Sequence, residues 1–111
     1  MTANLDQCAE ELDAAFDDFF GQHLITERWV RYVAEEAGEV VGAFNKWERK
    51  SASKPRTPED ILGESAQLFG NLLIVMRRLG FSSDDLFKAA DFYMTSKARE
   101  IREARREGQS V

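Results

Sequence analysis

The chain has 111 residues, enough for one domain with a real core, yet small enough that self-association would add much to its stability. Twenty acidic against 15 basic residues give a formal charge of -5, which argues against a polyanion binder held by phosphate neutralisation, so nucleic acid is not an expected partner. One cysteine rules out an internal disulfide and a Cys-rich zinc site and fits a reducing compartment, with Cys8 read as a small core residue.

The N-terminal M-T-A-N-L-D-Q has no basic region followed by an apolar one, and no apolar run approaches the roughly 20 residues needed to cross a bilayer. A cytoplasmic protein without membrane contact is expected. Two prolines, seven glycines and sparse β-branched residues beside abundant Ala, Leu, Glu and Arg predict helices throughout.

The first helix is expected from about Ala3, with Leu5, Cys8, Leu12, Phe16 and Phe19 inward and Asp6, Glu10, Asp13 and Asp17 on the solvent side. Gly21 ends it. His23 stands alone in the turn, with no second His or Cys at ligand spacing, and reads as structural or exposed.

The second helix is expected to start at Thr26 as N-cap and run to about Lys50. At about 100° per residue, Trp29, Val33, Ala37, Val40, Phe44 and Trp47 share one face. Glu36 falls inside that arc and Glu39 at its edge, within the run A-E-E-A-G-E-V-V-G-A-F of residues 34 to 44. A carboxylate taken from water without a partner costs several kcal/mol, so Glu36 should be paired, protonated or bound to a metal. The alternative is a helix rotated so that these acids reach solvent. Gly38 and Gly42, each costing up to about 1 kcal/mol in a helix interior, lie four apart and would let a helix or ligand come close.

Residues 51 to 58, S-A-S-K-P-R-T-P, read as a linker holding both prolines. With Lys46, Arg49, Lys50, Lys54 and Arg56 it makes a cationic stretch in an acidic protein, either a solvated loop or the outer wall of a polyphosphate site. The third helix has Thr57 as cap, Pro58 in its first position and Glu59 and Asp60 favouring its dipole, and should stop at Gly80. Glu64, Gln67 and Asn71 form a polar ribbon on it. Its remaining faces are apolar, which predicts contact with both the core and a second subunit. The fourth helix is expected from Ser82 or Ser83 to about Glu107, with Leu86, Phe87, Ala90, Tyr93, Met94 and Ile101 buried. Lys97 lies inside that face and Asp91 at its margin, and the lysine either snorkels to solvent or points at a phosphate. One domain over residues 1 to 107, with 108 to 111 as a disordered tail, completes the expected organisation.

Antiparallel packing of the second and third helices would bring Glu36, Glu39 and Glu64 onto one patch. Oxygen ligands clustered in this way suit a hard cation such as Mg2+, with phosphate oxygens and waters completing the shell. Trp29, the A-E-E-A-G-E-V-V-G-A run, the basic loop, E-D-I-L-G-E-S-A-Q-L at residues 59 to 68 and L-G-F-S-S-D-D-L beyond it carry a resemblance. Over roughly Trp29 to Leu86 the chain resembles the all-α nucleoside triphosphate pyrophosphohydrolase superfamily typified by MazG.

The resemblance implies a four-helix MazG-like bundle completed by dimerisation, working as a dimer or a dimer-derived tetramer. The family pattern, ExxE, a spacer, then ExxD, maps to Glu36, Glu39 and Glu64 as metal ligands, with Glu35 as the neighbouring acid that orients a water. Gln67 stands where the family has Asp, and offers the metal an amide oxygen without charge. By the same resemblance Mg2+, or Mn2+, would bind a nucleoside triphosphate for release of pyrophosphate and a monophosphate. Lys54, Arg56 and Lys97 would face the phosphates, and Asn71 and Asp91 would add polar contacts. Trp29, with Phe16 or Trp47, would pack on the base. Two rival readings stand beside this one: a nucleotide binder disarmed by Gln67, and a structural helical dimer in which Glu36 and Glu64 pair with Arg or Lys.

Overall fold

A computed structural model describes residues 4 to 49 and 56 to 108. Among them the secondary structure is four helices and no strand: α1 Leu5–Phe20, α2 Thr26–Arg49, α3 Pro58–Arg78 and α4 Ser83–Arg106. The expected start at Ala3, the expected linker over residues 51 to 55 with Lys50 and Lys54, and the tail beyond Gly108 lie outside the described residues.

Local chemistry sets the helix ends. Asn4 caps α1 by accepting from the Gln7 amide at 3.1 Å, and α1 stops where Gly21 turns left-handed at φ 69°. Thr57 with Asp60, and Ser82 with Asp85, form reciprocal capping boxes at the starts of α3 and α4. Thr26 is the first residue inside α2 rather than its cap. No described helix is long and apolar enough to cross a membrane.

The most extensive packing is α2 against α3, with α1 laid on α3 beside them. Trp29 is 0% exposed and Ile74 likewise, flanked by Leu73, Val75 and Ala9. The Trp29 ring meets Phe16 and Tyr32 edge-on, at centroid separations of 4.9 and 5.5 Å. Such T-shaped contacts suit the ring quadrupoles, and the one between Phe16 and Trp29 joins α1 to α2.

Three expectations are corrected here. Cys8, Leu12 and Phe19 are exposed, because α1 turns the neighbouring stripe of Leu5, Ala9 and Phe16 inward. Asp13, expected in solvent, is only 8% exposed, and Arg78 of α3 reaches it with both Nε (2.9 Å) and Nη2. The Arg78 Nη1 also donates to the Leu24 carbonyl, while Asp17 accepts from the Leu24 amide at 2.8 Å. One guanidinium therefore ties α1, the α1–α2 turn and the end of α3 together. His23 is exposed, as expected, and its Nδ1 hydrogen-bonds Asp17 at 2.7 Å, which with the Leu24 amide holds the Asp17 carboxyl below its usual range.

The third correction concerns α4, which has no buried residue. Leu86 touches the core and Phe87 stacks on Phe69 at 5.9 Å, while Asp6 of α1 accepts from the Ser83 amide (2.7 Å) and hydroxyl (3.0 Å). Phe87 is nevertheless 45% exposed, and beyond those first turns Tyr93, Met94 and Ile101 are exposed, although all four were expected to be buried. The radius of gyration is 17.9 Å, against about 13 Å for a compact domain of this length, which fits a helix that projects past its bundle.

Candidate functional site

The α2–α3 pairing brings Glu36 and Glu64 together. Glu36 comes from the middle of α2 and Glu64 from the second turn of α3, each on the side turned to the other helix, which is where the apolar periodicity placed them. Glu36 is half-buried, and its Oε2 is shut off from solvent and has no hydrogen-bond partner among the described residues. Burial raises its pKa above the ordinary carboxylate value, and the Glu64 charge raises it further. A hydrogen bond that the two carboxyls can make only when one is protonated acts in the same direction, as do the charges of Glu39 and Glu35. The pair is therefore short of positive charge and is satisfied by a proton or by a cation.

Glu39 and Gln67 are exposed, each three residues beyond the acid on its own helix. Three residues advance a helix by about 300°, so both swing about 60° off the facing line. As a result the four expected ligands do not converge, and no group of three or more His, Cys, Asp or Glu side chains stands in a metal-holding arrangement among the described residues. Glu35 is exposed beside Glu36, and Asn71 is half-buried two turns beyond Glu64.

Arg56 approaches Glu64, with Nη1 at 4.0 Å from Oε1. It is the member of the basic loop that the structure brings to the pair, Lys54 lying outside the described residues. Lys97 pairs with Glu100 on its own helix at 3.4 Å, and Asp91 is exposed on α4. Trp29 is enclosed in the core, where neither ring face is open to a base, and its Nε1 is buried without a partner. Trp47 is 37% exposed and stacks edge-on with Phe44 at 5.6 Å, so an aromatic surface near the end of α2 does reach solvent.

Sequence reasoning passed over the Asp13–Arg78 pair. Asp13 sits among other acids on α1 and Arg78 beside a second arginine, so nothing local distinguishes them. The comparisons add no relative: no protein-family model matches the sequence, and no curated protein and no solved structure matches it either.

Proposed function

We propose that this chain is a divalent-metal-dependent nucleotide pyrophosphohydrolase of the MazG type, cleaving a nucleoside triphosphate to a monophosphate and pyrophosphate. The observation that carries the reading is the buried Glu36 Oε2, without a partner among the described residues, set against Glu64. A carboxylate kept for stability alone would be expected to hold a basic partner, and the nearby guanidinium of Arg56 pairs with Glu64 instead. Mg2+ is commonly held by one or two carboxylates, with waters and substrate phosphates filling the octahedron, so two converging acids suffice.

Glu36 and Glu64 would hold the ion, with Glu39 and the Gln67 amide oxygen at the rim. Mn2+ would suit the same oxygens. When bound, the ion supplies charge neutralisation on the polyphosphate and a lowered pKa for attacking water. Glu35 would orient that water. Arg56, already beside Glu64, would neutralise the outer phosphate oxygens, a role open to Lys54 as well. The protein would work as a self-associated dimer or dimer-derived tetramer.

A second reading, nucleotide binding without cleavage, draws support from Gln67, which is neutral and exposed where the family pattern has an acid. Pyrophosphate release from a panel of nucleoside triphosphates with Mg2+ or Mn2+ separates the two readings. Turnover by the wild type that is lost in Glu36→Gln supports the hydrolase. Turnover by Gln67→Asp alone supports the binder. Absence of turnover in every variant, with no thermal shift on adding Mg2+ and nucleotide, overturns both.

A further inference from the structure

Among the exposed apolar stretches of the described surface, which include Val30, Val41 and Phe44 of α2, two seams are opposite in charge. On α1, Cys8, Leu12, Ala15 and Phe19 recur at steps of four, three and four, with Leu12 40% and Phe19 82% exposed. On α4, Phe87, Ala90, Met94, Lys97 and Ile101 recur at steps of three, four, three and four, with Met94 61% exposed. Both are the spacing by which one helix seats its side chains between those of another. The α4 seam continues the face that Leu86 and Phe87 lay on the core, so its inner end is already a packing surface.

Charge selects which seam meets which. α1 carries six carboxylates and no base, and Glu11 and Asp18 flank its seam on the side away from the core. From Lys97 to Arg106, α4 carries five bases against two acids, with Lys97 in its seam and Arg105 beside it, while Arg102 and Glu100 stand about 100° off the seam on opposite sides. Among the described residues Glu11, Asp18, Arg102 and Arg105 make no ion pair. Pairing α1 with a second α1 would set acid on acid, and pairing the ends of two α4 helices would set base on base.

We propose that the occupant of each seam is a second copy of this chain, with α4 of one protomer lying along α1 of the other and the reverse contact completing a two-fold dimer. This assignment of surfaces rests on the self-association reading above. A two-fold axis repeats the contact, so both the α1 and the α4 seam of each protomer are covered. The α1 seam, from Cys8 to Phe19, is about 18 Å long. The two-fold contact withdraws Leu12, Phe19, Phe87, Met94 and Ile101 of each protomer from water, ten large apolar side chains in all. The third helix, expected from its sequence to form the interface, is not needed for it.

The test is a charge exchange read by sedimentation equilibrium on the full chain, with circular dichroism confirming the helices. Arg102→Glu with Arg105→Glu, and separately Glu11→Lys with Asp18→Lys, should each weaken the dimer by about tenfold or more in dissociation constant, and the four changes together should restore it. A wild type that stays monomeric overturns both the self-association reading and this surface. A wild-type dimer that neither pair of changes weakens, or that the fourfold variant fails to restore, overturns this surface alone and assigns the dimer to other faces.

Discussion

Replacing Arg78 by methionine keeps most of the side chain's apolar volume and removes the guanidinium that Asp13 and the Leu24 carbonyl share. The two charged side chains are 8% and 11% exposed, so the pair belongs with buried ion pairs rather than with surface bridges, which are worth about 0–1 kcal/mol. Removing one partner of a buried pair typically costs about 3–5 kcal/mol, because the other charge stays buried and unpaired. Asp17, 4.0 Å away and 26% exposed, can compensate little. For a domain of this length each kcal/mol lowers the melting temperature by about 4 °C, so Arg78→Met should lower it by roughly 12–20 °C. Thermal denaturation at fixed protein concentration and neutral pH measures this. Asp13→Leu combined with Arg78→Met removes both charges and should recover most of the loss. A single variant within about 1 kcal/mol of wild type, or a double variant no better than the single, would refute the account of Arg78 as the tie between α1, the turn and α3.

The remaining predictions concern the acidic pair, the α4 anchor and the core. Because the folded-state pKa of Glu36 lies above its unfolded value, the unfolded chain releases that proton first as the pH rises. The penalty is thus absent below about pH 4.5, the unfolded value, and grows as the pH passes through the folded pKa. Glu36→Gln should therefore stabilise the metal-free protein at neutral pH, on the order of 1 kcal/mol, and change little at pH 4; destabilisation at neutral pH would contradict it. Asp6→Ala deletes the two bonds to Ser83 and should cost about 1–2 kcal/mol, read as faster amide exchange in the first turn of α4 while α2 and α3 keep their protection. Ile74→Ala, at a fully enclosed position, should cost about 2–5 kcal/mol in chemical denaturation, and a loss below 1 kcal/mol would mean that the site is not packed as described.

Part of the candidate site was legible before any coordinates. Glu36 and Glu64 stand out because each interrupts an apolar periodicity, and that periodicity is the record of which side each helix turns inward. Glu39 and Gln67 were grouped with them by their three-residue steps. Such a step keeps two side chains within one turn, but it also turns them by about 60°, enough to decide between a facing position and an exposed one. Trp29 was legible as part of a buried stripe, and its enclosure by Phe16 and Tyr32 makes it a core residue rather than a platform for a base.

The sequence by itself determined the four helices and, apart from those of α2, most of their ends. Asn4, Gly21, the Thr57–Asp60 and Ser82–Asp85 boxes, Pro58 and Gly80 act within a few residues of where they stand, through bonds to nearby backbone or through a left-handed φ. Tertiary structure alone decided which of two adjacent stripes α1 turns inward, since Leu5, Ala9 and Phe16 and the neighbouring Cys8, Leu12 and Phe19 are nearly equal in apolar character. It also joined Asp13 to Arg78 across 65 residues and left α4 without a buried residue. These outcomes depend on how helices distant in sequence cross, and a periodicity read along one helix holds no information about what lies opposite it.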